Sequence, residues 1–175
     1  MPTPDAGATP RQWDADDAVT ELYAAHYRSL VRLAAMLVRN TAEAEEVVQD
    51  AFVAMHGRWR WIREADKALA YLRQTVVNTA RSRLRRRAVE ERHRPAPSPD
   101  TASAEYHALA GAEYSQVFEA VKGLPQRQRE AVVLRYYLDL SEAEIAVTMG
   151  CSRGAVKSHT SRGMAALRTA LEHAS

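Results

Sequence analysis

The chain has 175 residues, 46% of them hydrophobic and 26% charged, with 24 Lys and Arg against 22 Asp and Glu; it can hold one ordinary domain or two small ones and is too apolar for wholesale disorder. No apolar run approaches the ~18–20 residues of a membrane span, and Met1 to Asp17 holds no hydrophobic stretch of the kind a secretory signal needs. A single cysteine, Cys151, closes no internal disulfide and builds no cysteine zinc cluster, so a cytoplasmic protein with no membrane attachment is expected.

Prolines divide the chain. They fall at Pro2, Pro4 and Pro10, then at Pro95, Pro97 and Pro99, then at Pro125, leaving two long stretches free for helices. Residues 1–17 read as a disordered tail, 18–94 as a first module, 95–111 as an extended linker, and 112–175 as a second module. In the first module Leu22, Tyr23, Tyr27, Leu30, Ala34, Leu37 and Val38 keep helical period. Asn40 with Glu43 three residues on offers a capping box. It opens a second stripe, Ala44, Val47, Val48, Ala51, Phe52 and Met55, which Gly57 is expected to end. Arg58 to Ala65 shows no clear period and reads as a loop. Asp66 is placed to cap a third helix that buries Leu69, Leu72, Val76, Ala80 and Leu84.

The second module repeats the style. Tyr106, Leu109, Ala110, Val117 and Val121 mark a helix ended by Gly123, and Pro125 suits the first turn of the next, with Val132, Val133, Tyr136 and Tyr137 as its apolar set. Ser141 and Glu144 form a capping box for a short helix that buries Ile145, Ala146 and Met149. Gly150 is the expected left-handed terminator, and Ser152 caps a last helix through Val156, Leu167 and Leu171. No segment alternates with the period of a strand, so the fold class is all-α: two small helical domains joined by a flexible linker.

Three surfaces carry chemistry. The capped short helix, tight turn and basic second helix of residues 141–162 form a helix-turn-helix pattern. Lys157 and Ser161, and Ser158 and Arg162, are i, i+4 pairs on one face of that second helix, while Val156, Gly163 and Leu167 face inward. Lys157 and Arg162 can reach guanine edges or phosphate in a major groove; Arg153, at the helix start, suits a phosphate. On the third helix of the first module, Gln74, Asn78, Arg81 and Arg85 lie opposite the buried stripe, and Trp59 and Trp61 stand just before that helix. Basic groups beside aromatics can hold single-stranded nucleic acid by stacking; the alternative is that one or both tryptophans plug the core. Glu45, Glu46, Gln49 and Asp50 form an acidic-amide face, which suits a basic protein partner or ordinary solvent. No P-loop, GxSxG or HExxH occurs, and the six histidines lack metal-ligand spacing. No enzyme, cofactor or metal site is expected. An ordinary DNA-binding regulator with a dimerisation or sensor module, and an adaptor that binds only protein, are the competing readings.

The string Glu43-Ala-Glu-Glu-Val-Val-Gln-Asp-Ala-Phe52 resembles the pattern D-A-E-D-[LV]-V-Q-[ED]-x-F of region 2 in sigma-70-type factors of the extracytoplasmic-function (ECF) group. Tyr71 to Ala80 is similar to the same region's helix for the −10 element. Leu124 to Tyr137, Leu140 to Ala146, and Ala155 to Arg162 resemble region 4, and the flavour is actinobacterial. The resemblance implies a promoter-recognising RNA polymerase sigma factor with two contacts on core polymerase, the clamp helices of the largest subunit and the flap of the second-largest. It implies that Glu45, Glu46, Gln49 and Asp50 meet the clamp helices. It assigns Trp59, Trp61, Gln74, Asn78, Arg81 and Arg85 to the −10 strand and its flipped base, and Arg153, Lys157, Ser158, Ser161 and Arg162 to the −35 element. An anti-sigma factor is a further candidate partner. Glu43 and Glu46 replace the usual Asp, and His159 and Ser161 occupy variable positions, so the −35 sequence does not transfer. The linker, at ~3.5 Å per residue, can extend ~60 Å, comparable with the ~55–70 Å between promoter elements at ~3.4 Å per base pair.

Overall fold

The computed structural model describes residues 14–93 and 112–174, the side chains of 112–115 excepted. Helix α1 spans Ala15–Leu37 and takes in residues 15–17, which the sequence places in the tail. Asp14 makes this possible: its carboxylate accepts the Asp17 N–H at 2.8 Å, and Asp16 and Asp17 in the first turn complement the helix dipole. Leu22, Leu30, Leu33, Ala34 and Leu37 are its buried stripe.

Helix α2 spans Thr41–Ile62, and Asn40 caps it by accepting the Glu43 N–H at 2.8 Å. The Glu43 carboxylate reaches Arg87 at 3.4 Å instead of closing the expected box. Gly57 does not end this helix. The apolar stripe runs on from Val48, Phe52 and Met55 to Trp59, at spacings of 4, 3 and 4 residues, and burial of that indole carries the helix through most of the stretch read as a loop. The chain turns at Arg63, in the left-handed region with φ 51°.

Helix α3, Ala65–Arg92, begins one residue ahead of Asp66, which lies in the first turn; Glu64 holds the cap position without a side-chain bond. It buries Ala68, Leu72, Val76, Val77 and Ala80, while Leu69 and Leu84 stay half-buried. The helices α1, α2 and α3 pack on one another as a bundle.

In the second stretch, α4 is Ala112–Lys122 and α5 is Gln126–Val132, preceded by Pro125. Val121 is buried but Val117 is exposed. Tyr106, Leu109 and Ala110, expected on the same helix, lie outside the described residues, as does the 95–111 linker. After α5 the chain widens into a π turn, Val133–Tyr137, in which the Leu138 N–H bonds the Val133 carbonyl five residues back at 3.3 Å. The wider turn breaks the 3.6-residue register and parts the apolar set, with Val132 and Val133 buried and Tyr136 and Tyr137 exposed. Helix α6 is Glu142–Met149 and α7 is Arg153–His173. Among the described residues every regular element is helical, and none is long and apolar enough to cross a membrane. The two halves touch. α6 packs on α3, α4 packs on α1, and the buried side chains form one continuous cluster.

Candidate nucleic-acid interface

Local chemistry builds the α6–α7 corner. Ser141 Oγ accepts the Glu144 N–H at 3.2 Å, and the Glu144 carboxylate accepts the Ser141 N–H at 2.8 Å. The Ser141 backbone N–H first, and the Ser141 hydroxyl second, hold the Glu144 carboxyl below its ordinary pKa. Gly150 adopts φ 65°, ψ 42°, a conformation costly for any residue with a Cβ. Cys151 is half-buried against the core, donating its N–H to the Ala146 carbonyl at 3.0 Å. Ser152 Oγ then caps α7 by accepting the Ala155 N–H at 3.1 Å.

The sides of α7 segregate cleanly. Val156, Gly163 and Leu167 are buried. Gly163 allows α7 to lie directly on α5, since a Cβ there would meet Val132 Cγ2 at 2.7 Å and the Gln128 carbonyl at 3.2 Å. Arg153, Lys157, Ser158, Ser161 and Arg162 are all exposed. Lys157 stands 3.9 Å from Glu142, a long and exposed pair that leaves its ammonium available to a phosphate or base.

The set assigned to the −10 strand is split. Trp59 is 7% exposed and sits in the core between α2 and its neighbours, so its ring faces are not open to a base; the reading of Trp59 as a stacking platform is corrected on that ground. Trp61, two residues on and nearly opposite on the helix, is 86% exposed. Asn78 and Arg85 are exposed on α3. Gln74 and Arg81 face the second module: Gln74 donates to the Val147 carbonyl at 3.4 Å, and Arg81 forks onto Glu130 at 3.1 and 2.7 Å. Glu130, and Arg127, which joins it at 2.9 Å, make this contact and were not singled out from the sequence. Their i, i+3 pairing is visible in the sequence, whereas the long-range partner Arg81 is not.

Glu45, Glu46, Gln49 and Asp50 are exposed along α2, as a docking face requires. Two of them already carry a cation: Arg83 of α3 reaches Glu46 at 2.8 Å and Asp50 at 3.0 Å. The Glu46 bond is the main reason the Arg83 guanidinium holds its proton more firmly than usual. The open groove between α2 and α3, about 380 Å³, is lined by Glu43, Asp50 and Glu90 as well as Arg83, Arg86 and Arg87. Such mixed charge does not make a phosphate cradle. Among the described residues no group of His, Cys, Asp and Glu could hold a metal ion.

Two family models match the chain: Sigma-70 region 2 over residues 22–89 and Sigma-70, region 4 over residues 114–167. The RNA polymerase sigma-E factor of Streptomyces avermitilis is 35% identical over 144 residues, covering 82% of this chain and 79% of that protein. The ECF RNA polymerase sigma factor SigM of Mycobacterium tuberculosis is 31% identical over 150 residues, covering 86% and 75%. Among solved structures, the sigma factor RpoE from Bartonella quintana, determined with the anti-sigma factor NepR, superposes with a TM-score of 0.72 over 87% of this chain and 96% of that one. At 23% identity this likeness speaks for the fold.

Proposed function

The chain belongs to the sigma-70 family of RNA polymerase sigma factors, in its extracytoplasmic-function group, and from that premise we propose how its surfaces divide the work of starting transcription. A sigma factor is a non-enzymatic initiation factor that binds core polymerase and recognises promoters. In our reading, residues 18–94 form the −10 module and 112–175 the −35 module, with 95–111 as the tether. The exposed face of α7 enters the major groove of the −35 element. Lys157, Ser158, Ser161 and Arg162 read base edges, and Arg153 holds a phosphate.

At the other element, Trp61 offers its ring to an unstacked base while Asn78 and Arg85 hold the strand. Gln74 and Arg81 join them once free of the second module. Extruding a base costs a few kcal/mol, which a prepared pocket offsets; this is how the −10 module promotes melting. Trp59 fixes the end of α2 behind Trp61. Glu45, Glu46, Gln49 and Asp50 dock on the basic clamp helices of the largest subunit, where a partner arginine or lysine displaces Arg83, and the second module docks on the flap. An anti-sigma factor, the kind of partner with which the Bartonella protein was solved, is a regulator suited to this chain, and the site of action is the cytoplasm.

The observation that supports this reading most directly is the segregation of α7, with every candidate −35 residue exposed and Val156, Gly163 and Leu167 buried. Holoenzymes carrying Lys157→Ala or Arg162→Ala test it: each should lose ~1–3 kcal/mol of −35 duplex recognition per base contact. Unchanged discrimination between native and scrambled −35 sequences would remove the assignment.

A further inference from the structure

The seam between α2 and α3 changes character along α3. Val76 and Ala80 are buried, and the same stripe continues, at spacings of 3 and 4 residues, into Arg83 and Arg87. Both arginines meet acids of α2. Arg83 Nη1 donates to Glu46 Oε2 at 2.8 Å and its Nη2 to Asp50 Oδ2 at 3.0 Å, while Arg87 reaches Glu43 at 3.4 Å.

Glu46 and Asp50 stand one helical turn apart on α2 and are two of the four residues assigned above to the clamp helices. A guanidinium that gives one Nη to each carboxylate occupies the place between them, where a single partner cation would also be drawn. A docking lysine or arginine therefore either takes that place or lies beside a like charge.

The pairs are built to exchange. The side chains of Glu46 and Asp50 are 64% and 62% exposed, within reach of solvent and a partner alike, whereas that of Arg83 is 27% exposed. Ion pairs this open are held weakly. Glu43 and Glu90 line the same groove as Arg83, so a displaced guanidinium finds other carboxylates and no charge is stranded.

We propose that Arg83 is an internal competitor for the clamp-helix face: it holds Glu46 and Asp50 in the free chain and lowers the affinity for core polymerase by the cost of exchanging it. This role rests on the assignment of that face made above. Two exposed pairs contribute little each, so the exchange weakens binding about three- to ten-fold. Arg83 also offsets part of the negative charge of Glu45, Glu46 and Asp50, so its removal should quicken association and steepen the dependence of that rate on salt.

The test measures binding of the labelled full chain to purified bacterial core polymerase, by fluorescence anisotropy at equilibrium and by stopped flow at low and high salt. Arg83→Gln should bind about three-fold or more tighter, with faster association that falls more steeply with salt. Arg83→Lys, which keeps the charge, should stay closer to the unaltered chain than to Arg83→Gln; a role in packing alone would not sort the variants by charge. Should Arg83→Gln lose its helical circular dichroism, Arg83→Met, which retains an unbranched stem, carries the same expectation. Equal or weaker binding by the folded charge-removing variant would overturn the proposal, and so would Arg83→Lys binding as tightly as Arg83→Gln. Failure of the docking assignment shows separately. Glu45→Ala and Gln49→Ala leave the Arg83 pairs in place, and unchanged core affinity in both would reject the face itself.

Discussion

Two tryptophans two residues apart meet opposite environments on α2. Trp59 fills the core and Trp61 stands in solvent, because two residues on a helix are separated by ~200° of rotation. Trp59→Ala should cost ~3–5 kcal/mol by thermal denaturation, the usual price of an aromatic-sized cavity. Trp61→Ala should change stability by less than ~0.5 kcal/mol, yet impair promoter opening. Permanganate footprinting would show the Trp61 defect on duplex promoter and its relief on a pre-melted one; equal defects on both templates would contradict a role in capturing the strand. Glu144 makes a pH-dependent contribution at the same scale. Its carboxyl is depressed by the bonds with Ser141, so the cap stabilises α6 above the ordinary glutamate value of 4.5 and is lost as pH falls through the lower folded value. An NMR titration should place the Glu144 midpoint below that of an unpaired glutamate, and Ser141→Ala, which removes the hydroxyl but keeps the backbone N–H, should raise it only part of the way.

At the scale of the element, Gly57 and Gly163, each inside a helix, make opposite demands. Gly57 lies within α2 with nothing near the position of its missing Cβ, so Gly57→Ala should stabilise the chain by ~0.5–1 kcal/mol in urea titrations. Gly163 sits where α7 rides on α5, and a methyl group there would strike Val132 and the Gln128 backbone; Gly163→Ala should destabilise by ~1–3 kcal/mol. Where local chemistry decides, the sequence was readable: the Ser141–Glu144 box, the left-handed Gly150 and the Ser152 cap all stand as expected. It was not readable where packing overrides a local signal. Gly57 looked like a stop because its conformational freedom suits one, but the burial of Trp59 four residues beyond Met55 carries the helix past it. The π turn at Val133–Tyr137 leaves no signature in apolar spacing, so the sequence does not show that Val132 and Val133 are buried while Tyr136 and Tyr137 are exposed.

For the whole molecule, helix order and the family's two regions were legible because each rests on short-range pattern and motif. The contact between the modules was not. The spacing of Gln74, Asn78, Arg81 and Arg85 identifies one face of α3 but says nothing of what lies against it, and the residues from the second module, Glu130 and Val147, are 49 and 73 positions away from their partners. The same blindness applies to Arg83, whose partners are acids of α2, Glu46 and Asp50, 37 and 33 positions away.

On the reading proposed, one chain carries two DNA-facing modules that together span a promoter while docked on polymerase. In vitro transcription with purified bacterial core polymerase, followed by mapping of the start sites, tests that claim most directly. The account predicts discrete transcripts that require both the chain and core, each preceded by paired −35 and −10 elements at constant spacing. Transcripts that start without the chain, or specific duplex binding by the chain alone with no initiation once core is added, would contradict it.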